Sequence, residues 1–233
     1  MNIVDWVILG VMGVSTLFGL YRGFMSSVLN TGGCLVSFIL SFVFYPQASA
    51  WFSSNVDLQR TLLNFTDAAS RIGDLETSVM TVGSLTPQAI TDVVQKAGLP
   101  GPLSDLLASN LTNAVYGPNA TVSSYVSQTV LSAMTNILTF LIVFVGLYLI
   151  ISLALSLIRA IFRFPVLKQL DAVVGGLFGI LRGALFVFAL FALIPLVQTM
   201  VPLDAVNELI QTSKLAPYFN NGTLVTMIMN GHL

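Results

Sequence analysis

Apolar residues run nearly unbroken through residues 3–20, 24–45, 130–158 and 171–200, and each run is about as long as a bilayer is thick. The hydrocarbon core measures roughly 30 Å and takes about 20 apolar residues at a helical rise of 1.5 Å. The pattern therefore predicts four transmembrane helices. Between the second and third runs the character changes: from Pro46 to Gln128 charges, Ser, Thr and Asn return, and apolar residues recur at helical spacing on one face only. Leu58, Leu62, Phe65, Ala69 and Ile72 make one such face. Thr86 and Pro87 read as the cap and first turn of another helix, around Ile90, Val93 and Val94, which Gly98 and Pro100 stop. Leu103, Leu106, Leu107 and Leu111 mark a third, closed by Gly117 and Pro118. Faces of this kind must lie on each other, on the membrane surface or on another subunit.

The polar and small residues inside the apolar runs carry the rest of the pattern. In the last run Gly175, Gly179 and Gly183 recur every four residues, so they line one helix face and let another backbone come close. Arg182 lies beside that ridge, about ten residues into the run, where a guanidinium costs roughly 2.5 to 3.5 kcal/mol to insert. It either snorkels toward the interface or faces a polar interior. Asp171 is three turns away, about 16 Å along a straight helix, and does not pair with it directly. In the second run Ser26, Asn30, Gly33, Ser37 and Ser41 form a stripe at spacings of three and four, suited to facing other helices, and Asn30 to Gly33 could also loosen the helix. Asp5 opens the first run and Arg22 closes it. Pro195 should bend the last helix, and residues 203–211 read as a short amphipathic helix.

Composition agrees with the membrane reading. The 233 residues are 55% hydrophobic and 8% charged, with a mean hydropathy of +0.88, against about 25% charged in a typical soluble domain. A net charge of −1 and sparse basic residues argue against nucleic acid as a partner. The short link after the third run holds Arg159, Arg163 and Lys168, and Arg22 sits in the other short link, whereas the insert holds three cations against six acids. Positive charge in short links marks the cytoplasmic side. The expected topology has both termini and the insert outside the cytoplasm. The chain divides into a hairpin of two transmembrane helices (residues 1–45), an extracytoplasmic helical insert (46–128), transmembrane helices three and four (129–202), and a C-terminal helix and tail (203–233).

No reaction centre is legible. There is no zinc-protease, phosphate-loop or nucleophile-elbow motif, the single Cys34 lies in an apolar run, and His232 stands alone near the end. The reading is a non-enzymatic protein with no cofactor and no metal.

The order of several weak motifs is more specific than any one of them. Val4-Asp5-Trp6-Val7-Ile8 leads to Gly19-Leu20-Tyr21-Arg22-Gly23-Phe24, followed by Leu170-Asp171, Gly175-Gly176, Gly179, Arg182-Gly183, and finally Ser213, Leu215 and Pro217. This series resembles the colicin V production protein (CvpA) family over the membrane part of the chain and is silent on the insert. The resemblance implies a bacterial inner-membrane protein linked to toxin production or export and to envelope homeostasis, and it brings no catalytic residue. Two functions follow as expectations. One is an accessory or scaffold protein that engages an envelope or export partner through the insert. The other is a small homo-oligomeric channel or transporter in which Arg182, Asp5, Arg22 and Asn30 line the pathway.

Overall fold

The computed structural model describes residues 1–66, 75–99, 101–113, 120–161, 168–200, 204–220 and 222–230. Its helices are α1 (Ile3–Arg22), α2 (Phe24–Ser53), α3 (Val56–Thr66), α4 (Leu75–Val79), α5 (Pro87–Ala97), α6 (Gly101–Asn113), α7 (Val122–Ile161), α8 (Lys168–Ala192), α9 (Ile194–Met200), α10 (Asp204–Thr212), α11 (Ala216–Phe219) and α12 (Gly222–Asn230). Four of them, within α1, α2, α7 and α8, are long and apolar enough to cross a membrane. The described residues form no strand beyond one antiparallel bridge between Thr81 and Thr121.

Several boundaries follow from local chemistry. Asn2 caps α1, its side chain accepting from the amides of Val4 and Asp5 while Asp5 accepts from the Asn2 amide, a reciprocal capping box. Thr86 caps α5 by accepting from the Ala89 amide, Pro87 fills the first turn, and Gly98 ends the helix with φ of 54°. A single residue, Gly23, joins α1 to α2 with φ of 78°, a conformation that a side chain would strain. Asn30 to Gly33 are helical throughout, so the loosening considered there does not occur.

Two boundaries differ from the sequence division. α2 continues through Pro46 to Ser53, and α7 begins at Val122 rather than near residue 130. Proline removes one backbone donor, the bond to the carbonyl four residues back, without ending a long apolar helix whose remaining turns are intact. Pro195 has the larger effect: α8 stops at Ala192, a turn intervenes at Leu193, and α9 restarts at Ile194.

The chain resolves into two compact units, which divide it differently from the four consecutive stretches above. The first comprises Met1–Tyr45, Phe140–Ala192 and Asp204–Asn221. Its core holds Cys34, Phe144 and Ala189, and a run of edge-on aromatic contacts links Phe38, Phe42, Tyr45 and Phe140. The second unit comprises Pro46–Thr139, Leu193–Leu203 and Gly222–Leu233. The apolar faces of α5 and α6 meet there, with Val93, Ala97, Leu107 and Leu111 buried against Val82, Val122 and Val126. The Thr81–Thr121 bridge closes this cluster, with the Val82 amide donating to the Ala120 carbonyl and the Val122 amide to the Met80 carbonyl, both at 2.9 Å. Of the face expected at residues 58, 62, 65, 69 and 72, α3 carries the first three positions, while residues 69 and 72, and the stop at residues 117 and 118, lie outside the described residues.

Candidate functional site

The first unit is organised on a seam between α1 and α8. A Cβ built on Gly19 would strike the carbonyl of Gly175, one on Gly175 would lie 2.5 Å from the Gly19 carbonyl oxygen, and one on Gly179 would lie 2.6 Å from the Ser15 carbonyl oxygen. Gly183 would meet Met12 Cα at 3.0 Å. The two backbones touch because both helices carry small residues every four positions: Ser15, Gly19 and Gly23 on one, Gly175, Gly179 and Gly183 on the other. The ladder on α1 has the same spacing as that on α8, and that spacing is the signal that sequence reasoning passed over.

Ser15 is the hub of this seam. Its hydroxyl donates to the Gly179 carbonyl at 2.7 Å and accepts from Arg182 Nε at 3.1 Å, while its own carbonyl accepts from Arg182 Nη2 at 3.3 Å. Only a glycine at 179 lets a serine side chain reach the neighbouring backbone at that distance. α2 adds two similar ties: Ser27 donates to the Gly19 carbonyl at 3.1 Å and Thr31 to the Phe178 carbonyl at 2.9 Å. Each hydroxyl finds its acceptor on a backbone, which is how hydrocarbon-buried polar groups avoid being orphaned.

Beside the seam lies a groove of about 600 Å³ lined by Gly10, Val14, Ser15, Phe18, Arg22 and Arg182 of α1 and α8, together with Tyr148, Ser152 and Phe186. Arg22 is exposed at the end of α1 with its guanidinium 5.8 Å from the Phe18 ring centroid. Arg182 is partly buried.

Asp5 belongs to a different place. It is fully buried, and its Oδ1 accepts from the Ser213 hydroxyl at 2.6 Å and from the amides of Lys214 and Leu215, both at 3.0 Å. Its Oδ2 accepts from the Asn2 amide at 2.9 Å. All four donors are neutral. Asn2 completes the clamp by donating to the carbonyl of Leu209 and, at 3.0 Å, to the hydroxyl of Thr212. The start of α1 thereby holds the segment that follows α10.

The other sequence candidates scatter. Asn30 is buried in α2, and Gly33 faces the side chains of Leu155 and Ile151, where a Cβ would come within 2.8 Å. Ser37 and Ser41 turn their hydroxyls back onto carbonyls of their own helix. The side chain of Asp171 lies outside the described residues. Asp5 and the Ser15–Arg182 contact are ten residues apart along α1, about 15 Å, so these polar groups do not gather in one site. In the second unit Asn136 accepts from the Ser49 hydroxyl at 2.5 Å and donates to the Met229 carbonyl at 2.8 Å, tying α2, α7 and α12 beside a polar pocket of about 390 Å³. Among the described residues no three His, Cys, Asp or Glu side chains come together to hold a metal ion.

A family model for colicin V production protein matches residues 4–224, nearly the whole chain. The chain belongs to the colicin V production protein family. A curated relative, the colicin V production protein homolog of Haemophilus influenzae, is 30% identical over 98 residues, which cover 42% of this chain and 56% of the relative. The chain thus spans about half the length of the curated relative it matches. No solved structure matches. The bounds of the family match enclose the insert as well as the apolar helices.

Proposed function

We propose that this protein is a non-enzymatic accessory protein of the bacterial inner membrane, serving toxin production or export and envelope homeostasis as a scaffold. Membership of the colicin V production family supports the link to toxin production. The observation that carries the scaffold reading is the use made of the polar groups within the apolar helices. Ser15, Thr31 and Asp5 close contacts between segments far apart in sequence, Ser27 ties α2 to the end of α1, and none of the four is gathered around a reactive centre. The second unit, with its own apolar core, is the part that would meet an envelope or export partner.

Complementation tests this. A deletion strain carrying the full chain, or the chain lacking residues 57–116, is scored for secreted toxin titre and for survival under envelope stress, with membrane levels matched. The scaffold reading expects the shortened chain to insert and to fail in both assays. Full rescue by the shortened chain overturns it.

A second reading, a homo-oligomeric channel or transporter with Arg182 lining the pathway, draws on the groove in which Arg182 and Arg22 stand. It expects flux in liposomes that falls in Arg182→Leu. Flux absent from the wild type, or unchanged in the variant, removes it.

A further inference from the structure

We infer that the groove beside the α1–α8 seam is a binding site for the phosphate of an anionic phospholipid drawn from the surrounding bilayer. The three helices that line it, α1, α7 and α8, are all long and apolar enough to cross a membrane, which puts lipid within reach of the groove. Its polar groups are all hydrogen-bond donors or neutral hydroxyls: two guanidiniums, the phenol of Tyr148 and the hydroxyls of Ser15 and Ser152. Among the described residues no carboxylate lines it.

Among the described residues these donors are not used up. A guanidinium offers five N–H groups, and Arg182 places two of them on Ser15 among the described residues. Arg22 meets only the face of Phe18 there. A guanidinium facing hydrocarbon with free donors is costly, and an anion is the partner that relieves both its charge and its hydrogen-bonding need.

The shape completes the case. The contact of Arg182 with Ser15 lies seven residues, about 10 Å, along α1 from Arg22, so the groove runs from the end of the helix into the apolar zone. Phosphate held between these levels would leave its acyl chain against Val11, Val14, Phe18 and Phe186. The volume of about 600 Å³ is that of an ordinary ligand site rather than of a water-sized gap. Basic pockets between membrane helices are a known way of holding anionic headgroups. The glycine seam has a part in this, because it fixes Ser15, and Ser15 fixes the guanidinium.

The test is native mass spectrometry of the full chain released from nanodiscs that hold equal amounts of phosphatidylglycerol and phosphatidylcholine. The expected result is retention of phosphatidylglycerol at least about fivefold over phosphatidylcholine, with Arg22→Gln and Arg182→Gln each lowering the preference by about fivefold, the share one basic residue contributes. Arg60→Gln, on α3 and outside the groove, should leave the preference intact. Arg22→Gln keeps the test open should Arg182→Gln fail to fold, since Arg22 is exposed and outside the seam. Equal retention of the two lipids overturns the inference, as does a preference that survives Arg22→Gln. Displacement of phosphatidylglycerol by millimolar inorganic phosphate also overturns it, because the site would then be one for a free anion.

Discussion

Replacing Gly179 with alanine puts one methyl group where the structure has no room for it. Its Cβ would lie 2.6 Å from the Ser15 carbonyl oxygen and 2.9 Å from Thr16 Cα, and both are backbone atoms that no rotamer change can move. Restoring an ordinary contact of 3.4 Å requires α1 and α8 to part by roughly 0.8 Å. The Ser15 hydroxyl, now 2.7 Å from the Gly179 carbonyl, then stands at about 3.5 Å, the limit of a hydrogen bond, and the anchor of Arg182 moves with it. Overpacking of this kind costs about 1 to 3 kcal/mol, and an interhelical bond in a membrane adds about 0.6 kcal/mol. Alanine returns roughly 0.5 to 1 kcal/mol through its better helix propensity. The expected net loss is about 2 kcal/mol, or roughly thirtyfold in the folding equilibrium. Gly183→Ala, whose nearest neighbours stand at 3.0 and 3.1 Å, should lose less, about 1 kcal/mol. Gly13→Ala meets nothing within 4 Å and should be neutral or slightly stabilising. Unfolding of each variant by dodecyl sulfate in mixed micelles, followed by far-ultraviolet circular dichroism, gives the order directly. A Gly179→Ala variant that unfolds at the wild-type midpoint, or a Gly13→Ala variant that loses as much, refutes the close-contact argument.

Two further outcomes follow from the polar ties. Asp5→Asn should cost about 1 to 2 kcal/mol and Asp5→Ala about 3 kcal/mol, because the amides of Lys214 and Leu215 and the Ser213 hydroxyl lose a charged acceptor. Hydrogen exchange at Lys214 and Leu215 reads this, and unchanged protection in Asp5→Ala would contradict the clamp. Asn136→Ala removes the partner of both the Ser49 hydroxyl and the Met229 carbonyl, at about 1 to 2 kcal/mol. Proteolysis within α12 should accelerate at least several-fold, and an unchanged cleavage rate would show that α12 is held by other contacts.

How much of this could be read from the chain depends on the range over which each signal acts. The cap at Thr86, the first-turn Pro87 and the stop at Gly98 are local, and the structure has α5 begin and end on them. The apolar runs are local too, and they become the cores of α1, α2, α7 and α8. Pro46 misled because a proline acts on one backbone bond, while the fate of the helix depends on every other turn. Spacing marked the ridge on α8 without naming the helix that would lie on it. Asp5 was harder still: a buried carboxylate in an apolar helix invites pairing with a cation, and three of its four neutral donors come from residues more than 200 positions away. Separations of 164 and 167 residues hid Ser15 as well, whose importance arises only once Gly179 and Arg182 stand beside it.

The seam between α1 and α8 also has a timetable. Ser15 and the Gly179 carbonyl are 164 residues apart, which at 5 to 20 residues per second is roughly 10 to 30 s of synthesis. During that interval α1 lacks the helix that covers its narrow face, and its Ser15 hydroxyl lacks the Gly179 carbonyl. The segment that closes over Asp5 emerges later still. Although α1 precedes α8 by about 150 residues it is therefore seated only when α8 arrives, and a nascent chain halted before Gly175 would offer that uncovered face to any other protein inserting nearby.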